Sequence, residues 1–332
     1  PAVVGDRWRA MWKERLEAMT FWAAQWTEHQ TNDAMWKHGS ISVDYDDVQV
    51  PVYFFGGWAD LYRDTPFRIA ANLKGPCKVM MGPWAHLYPH DGIPGPRVDF
   101  VAEAIRWWDH WLKGIDTGIM DEPRFRTYLQ DSMPPVGYAA EQPGRWVEDP
   151  QWPSPNVAAR MLWLGGSALT DVARHDGPPL TIRSPQSYGA AAGDACSFAI
   201  PGDLPADCRI DEGGALSFRS APLGEAIDIL GQPQLRLKLA ADQVQAFVSA
   251  VLADEAPDGA QRLITRGLVN LCHRAGNDRV LPVVPGEEMA VTVPLWGTGY
   301  RVPAGHRLVL HVGSTYWPIV WPAPAPARRW AS

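Results

Sequence analysis

The chain has 332 residues, a formal net charge of −7 and a sequence pI near 5.7. That length allows about two domains, and the acidic balance argues against a nucleic-acid partner, whose phosphates need a basic surface. No apolar run approaches the ~18 residues of a membrane span, so no membrane partner is expected either.

From Asp6 to about His29 the apolar residues Trp8, Trp12, Leu16, Met19, Trp22 and Trp26 recur in steps of three and four. This predicts one helical face, expected to pack in a core. A polar segment, Thr31 to Asp47, then leads to the apolar run Val50 to Phe55. That run predicts a strand, followed by a loop carrying Asp60. Thr65 to Leu73 reads as a helix with Pro66 in its first turn. Cys77 to Met81 reads as a second strand, followed by a loop carrying His86. Two parallel strands joined by a helix deliver their following loops to one sheet edge, where open α/β sheets place their chemistry.

Asp99 to Lys113 predicts a long helix, with Asp99 as N-cap, Gly114 as stop, and Val101, Ile105, Trp108, Trp111 and Leu112 on its buried side. Arg124 to Gln130 predicts a third strand. Met133 to Pro155 reads as a Pro/Gly-rich connector, and a domain boundary is expected near residue 145. Beyond Arg160 seven short runs read as strands: Met161–Leu164, Leu216–Phe218, Leu235–Leu239, Ala246–Leu252, Arg266–Leu271, Met289–Val293 and Arg307–Val312. Short strands with turns and no helix between them predict a jelly-roll-like β-sandwich. The Pro/Ala-rich end, with Arg328-Arg329, is expected to lack regular structure.

An aspartate and a histidine on neighbouring loops suit a nucleophile–histidine–acid triad. The histidine moves the nucleophile's proton, and the acid fixes its tautomer. Asp60 and His86 are the candidate catalytic residues, and the loop aromatics Trp58, Tyr62 and Trp84 are the candidate substrate contacts. On α/β-hydrolase folds the serine precedes the acid, on a Gly-x-Ser-x-Gly turn. The sequence holds no such motif. Ser40 and Ser42 are the serines upstream of Asp60; Ser40 and Ser167 read as turn residues.

The four cysteines form no C-x-x-C pair, so no zinc site and no cofactor are expected. Buried free thiols are the expected state, with Cys196 and Cys208 as the candidate bridge under oxidising conditions. His86 with His90, and Asp254 with Asp258, have too few ligands in suitable positions to predict a metal. His306 reads as structural.

Several spaced motifs resemble one family. GGWAD (56–60), GPWAH (82–86) and RWWDHWLKGIDTGIMDEP (106–123) are similar to the C-terminal portion of the cocaine esterase / X-Pro dipeptidyl-peptidase serine hydrolases, also called CocE/NonD. FRSAPL (218–223), the Asp258-Gly259 turn, TRGLVN (265–270) and YRVPAGHRLVLHVGS (300–314) resemble the same family's jelly-roll. The resemblance implies an α/β plus all-β chain in three parts. These are the end of a helical cap and a linker (1–48), the C-terminal part of an α/β-hydrolase domain (49–145), and a jelly-roll (146–332). It implies a small ester or amide substrate, with Asp60 as triad acid and His86 as triad base. A homo-oligomer stays open.

The family's nucleophile segment and its oxyanion-hole tyrosine have no counterpart in the sequence. The chain, which opens on Pro1, therefore resembles a member lacking its N-terminal part, and a shortened C-terminus is also open. Relatives acting on α-amino acid esters carry carboxylates two and three positions after the triad acid. Here those positions hold Tyr62 and Arg63, which weakens the expectation of an α-amino substrate. An inward-pointing Arg63 would suit an anionic or neutral acyl group better.

Overall fold

The computed structural model of the chain describes residues 2–173 and 177–324. The tail containing Arg328-Arg329 lies outside the described residues. The chain is mostly sheet with few helices. Helices α1 (Trp8–Ala18) and α2 (Trp22–Glu28) open it, followed by a single turn, α3 (Ala34–Lys37). The predicted tryptophan face is present, but it is broken between Ala18 and Trp22 and turned outward. Neither helix has a buried residue, and Trp12, Leu16, Met19, Trp22 and Trp26 are all exposed. Periodicity records that a helix has an apolar face; it carries no information on what covers it.

The strand–helix–strand reading agrees with the observed elements. Strand β1 (Val52–Gly57), helix α4 (Thr65–Asn72) and strand β2 (Cys77–Gly82) follow in order. β1 and β2 pair in parallel, from Val52 opposite Cys77 to Gly57 opposite Gly82. Pro66 stands at the start of α4, where its missing N–H costs nothing. Phe67, Ile69 and Ala70 of α4 are buried with Trp58, Val79, Met81 and Phe125.

Helix α5 (Phe100–Lys113) has the predicted ends. Asp99 Oδ1 accepts from the Ala102 N–H at 3.0 Å, and Gly114 turns left-handed with φ 68°. Its buried side differs from the prediction. Trp107 is the residue of the helix that is buried, while Val101, Ile105, Trp108 and Leu112 are exposed and Trp111 is half-buried. The helix carries two apolar stripes one position apart. Phe100 packs on Phe55 and Trp107 on Tyr53, with ring centroids 4.9 and 5.4 Å apart, and the stripe of Val101, Ile105, Trp108 and Leu112 faces out.

Strand β3 (Phe125–Asp131) is followed by β4 (Gly144–Asp149), which pairs antiparallel along it. β4 lies in the expected connector and runs across the boundary expected near residue 145. The seven predicted later strands appear as β5 (Trp163–Gly165), β7 (Leu216–Arg219), β9 (Gln234–Leu239), β10 (Phe247–Glu255), β11 (Gln261–Asn270), β12 (Met289–Pro294) and β14 (Arg307–Gly313). Three more were not predicted: β6 (Ala168–Thr170), β8 (Ile227–Gly231) and β13 (Thr298–Val302). A single helical turn, α6 (Arg209–Glu212), interrupts the run of strands.

The first sheet has the order β1-β2-β3-β13-β8, with β4 also on β3. β13 pairs parallel with β3 and antiparallel with β8, so strands from the far end of the sequence continue the sheet that β1 begins. The second sheet has the order β11-β10-β14-β7-β6-β5, and β9 pairs with β12. The main apolar core gathers Leu239 of β9, Val248 and Ala250 of β10, Val293 of β12, Tyr300 and Val302 of β13 and Leu310 of β14. Each fully buried side chain of the Val or Leu kind contributes about 1.5–3 kcal/mol.

Candidate active site

β1 and β2 end level with each other, Gly57 beside Gly82. The loops that follow are joined by their backbones. Trp58 N–H donates to Gly82 O at 2.9 Å, and Ala59 N–H to Trp84 O at 3.1 Å. Position 57 must be glycine for this approach, because a Cβ there would collide with the Trp84 carbonyl.

The two loops bring Asp60 and His86 together. His86 Nδ1 and Asp60 Oδ2 are 3.0 Å apart. An ionised carboxylate only accepts, so Nδ1 carries the proton and Nε2 keeps a free lone pair. Asp60 Oδ1 accepts from the Tyr62 N–H at 3.1 Å, which fixes the carboxylate plane. The Asp60 side chain is 14% exposed and that of His86 is 44% exposed, so the acid is sheltered while the base faces outward.

The candidate substrate contacts divide. Tyr62 is exposed, its ring 5.8 Å from the His86 ring. Trp58 is 4% exposed and Trp84 is 1% exposed. Their indole N–H groups donate inward, to Tyr128 O at 2.6 Å and to Pro96 O at 2.8 Å. This differs from the sequence expectation: both indoles are spent bracing the loops from beneath and offer no open face. Arg63 is buried, donates Nε–H to the Asp60 carbonyl at 2.7 Å and lies 4.9 Å over Trp296. Burial lowers its guanidinium to about 9, with the charge of Arg266 acting in the same direction. It supports the acid loop from inside.

A third segment, absent from the sequence reading, completes the surroundings. Ser197 O accepts from the His86 N–H at 2.7 Å, and Ser197 N–H donates to Ala59 O at 3.2 Å. One residue thus holds both loops. Buried Asp203 shapes this segment, its Oδ2 accepting from the N–H groups of Phe198 at 2.7 Å and Ile200 at 3.2 Å. Phe198 stands edge-on to His86 with ring centroids 5.4 Å apart. Cys196 reaches Asp60 Oδ1 at 3.9 Å.

Other histidines are partnered as well. His311 accepts from Ser217 Oγ at 2.7 Å through Nδ1 and donates to Gln261 Oε1 at 2.8 Å through Nε2. This serine–histidine contact is partly buried, and the histidine faces an amide where a triad needs a carboxylate. His306 pairs with buried Asp254 at 2.7 Å, and Tyr300 donates to the same carboxylate at 2.9 Å. Asp254 is thereby occupied, and Asp258 caps its own turn by accepting from Ala260 N–H at 3.0 Å. His90 lies beside Asp91. Ser40 and Ser42 bond each other at 2.7 Å, and Ser167 sits in the β5–β6 turn. Among the described residues no serine hydroxyl is bonded to His86. The four cysteines are free; Cys196 is half-buried and the others are buried. Two surface hollows of about 540 and 320 Å³, lined by residues such as Trp317 and Tyr188, include neither Asp60 nor His86. No helix of the described residues is long and apolar enough to cross a membrane.

Residues 117–330 match the family model described as the X-Pro dipeptidyl-peptidase C-terminal non-catalytic domain. The chain belongs to that family. Residues 3–88 of this X-Pro dipeptidyl-peptidase relative match the model for X-Pro dipeptidyl-peptidase (S15 family), and that stretch holds both Asp60 and His86. The chain is 21% identical over 322 residues to cocaine esterase of Rhodococcus sp. (strain MB1 Bresler), covering 89% of the chain and 54% of the esterase. It is 25% identical over 297 residues to a putative serine esterase of Mycobacterium tuberculosis (strain CDC 1551 / Oshkosh), covering 79% and 45%. The chain spans about half the length of the curated relatives it matches. Its fold is similar to the crystal structure of a CocE/NonD family hydrolase from Staphylococcus aureus. The TM-score is 0.70 at 14% identity, covering 97% of this chain and 56% of that one.

Proposed function

We propose that the chain is the acid- and base-bearing part of a serine hydrolase that cleaves a small ester or amide through an acyl-enzyme. The observation that carries this is the Asp60–His86 hydrogen bond of 3.0 Å at one sheet edge, with Nε2 free and the ring open to solvent. In this reading Nε2 takes the proton of an attacking serine and returns it to the leaving group. Asp60 holds the ring in that tautomer and stabilises its charged form. In this reading the serine comes from polypeptide beyond the described residues, none of whose hydroxyls is bonded to the ring. The sheets of the C-terminal half form a jelly-roll, and Tyr62 and Phe198 border the bound acyl group. Similarity to proteins named esterase and Xaa-Pro dipeptidyl-peptidase supports the reaction class.

In the complete protein, His86→Ala and Asp60→Asn are each expected to lower turnover of a chromogenic ester by about 10³–10⁴-fold. Turnover that survives either change would remove the assignment. The chain by itself is expected to take no label from a fluorophosphonate probe; labelling of any of its serines would relocate the nucleophile. A second reading, that the chain is a non-catalytic supporting module, is favoured by the description of the family whose model covers residues 117–330. Full activity of a complete protein with Asp60 and His86 both replaced would select it.

A further inference from the structure

Acid–base work explains Asp60 and His86 but gives no role to the thiol beside them. Asp60, His86 and Cys196 each offer one ligand atom, and the three atoms lie within 4.8 Å of one another. Among the described residues no other set of three His, Cys, Asp or Glu side chains is so placed. Cys196 Sγ is 3.9 Å from Asp60 Oδ1, and His86 Nδ1 is 3.0 Å from Asp60 Oδ2. In a tetrahedral zinc site, bonds of about 2.3 Å to sulfur and 2.0–2.2 Å to nitrogen or oxygen set neighbouring donors about 3.4–3.6 Å apart. The two separations to Asp60 fall on either side of that spacing and all three atoms lie within 4.8 Å, so side-chain rotations bring the three donors onto one ion. Arg63 does not compete for the carboxylate, because its Nε donates to the Asp60 backbone carbonyl.

We propose that Asp60, His86 and Cys196 form a three-ligand site for a thiophilic divalent cation of the zinc class, and that its occupancy switches the Asp60–His86 pair off. The thiol binds as thiolate and gives its proton to solvent. Nδ1 of His86 gives its lone pair to the metal and its proton passes through solvent to Nε2, so the ring has no base left. Two anionic donors offset the charge of the ion. The partial exposure of His86 leaves the fourth position to water, the pattern of an accessible zinc site. Sulfur and imidazole donors select zinc-like ions over magnesium and calcium. The site stands on geometry alone; only its consequence for hydrolysis rests on the reading of Asp60 and His86 as acid and base.

The test uses the chain with cobalt(II) and zinc(II) as probes. Cobalt is expected to bind one ion per chain with a sulfur-to-cobalt charge-transfer band in the near ultraviolet. Zinc is expected to displace it, and millimolar magnesium to leave it in place. Cys196→Ser and Cys196→Ala should both abolish the band while thermal unfolding stays as in the parent. His86→Ala and Asp60→Asn should each weaken zinc binding by about tenfold or more, the scale on which even outer partners of a metal act. Absence of the band in the parent chain, its survival in both Cys196 variants, or unchanged zinc affinity in the His86 and Asp60 variants would overturn the site. In the complete protein, zinc is expected to inhibit ester turnover, and Cys196→Ser to relieve that inhibition by about tenfold or more. Metal binding at this site together with full turnover by His86→Ala would overturn the hydrolase reading and leave the metal site standing.

Discussion

His86 and His311 are both bonded through Nδ1, yet their surroundings give them opposite chemistry. His86 meets a carboxylate, which accepts its Nδ1 hydrogen. His311 meets a hydroxyl and an amide oxygen in the interior, with no bonded carboxylate to offset a charge on the ring. Burial pushes the His311 imidazole down to about 4, against about 6.5 in an unfolded chain. Between those values the unfolded chain binds more protons, so stability falls as pH drops from about 6.5 to about 4 and is fully present above 6.5. The difference corresponds to on the order of 3 kcal/mol. Urea unfolding of the parent and of His311→Gln across pH 4–7 isolates it: the parent should lose that amount relative to the variant as the pH is lowered. A constant difference between the two would show that His311 keeps an ordinary imidazole.

Among the elements, α5 shows what a sequence pattern leaves open. Phe100, Trp107 and Trp111 form one stripe, and Val101, Ile105, Trp108 and Leu112 form its neighbour; the helical period fits both. The sheet chooses between them, because Tyr53 and Phe55 of β1 accept Trp107 and Phe100. Trp107→Ala is therefore expected to cost about 3–5 kcal/mol and Trp108→Ala about 0.5 kcal/mol or less, both measured by denaturant unfolding. The reverse order would mean that the other stripe is the buried one. The contrast marks where the sequence was legible. β1, α4 and β2 are local units with clear apolar runs, so Asp60 and His86 could be placed on adjacent loops by counting. β13 escaped because Gly299 interrupts its pattern. The fold needs that glycine, since a Cβ there would stand 2.9 Å from the Trp58 ring. The Cys196–Asp203 segment escaped for another reason. It has no periodicity of its own, and its partners, Ala59 and His86, lie over a hundred positions earlier. For the same reason no local spacing announces the Asp60, His86 and Cys196 cluster.

For the whole molecule, the decisive feature is that the two halves of the sequence share a sheet. β4 runs along one side of β3, and on the other side β3 meets β2 at Phe125–Thr127 and β13 at Gln130–Asp131; the Gln130 amide donates to the Gly299 carbonyl at 3.3 Å across that join. Residues 1–150 alone would leave β3 without that neighbour and strip the support above Trp58. A chain ending at residue 150 is therefore expected to show no cooperative thermal transition, whereas the chain of 332 residues shows one. A sharp transition in the shortened chain would establish that β1 to β4 stand by themselves.

The hold that Ser197 keeps on both loops also has a consequence in time. A ribosome adds about 5–20 residues per second. Asp60 and His86 therefore leave the exit tunnel several seconds before the residue whose carbonyl meets the His86 N–H. Throughout that interval the imidazole lacks its fixed mount. The arrangement at this edge is thus completed only after residues from the second half have closed over the first.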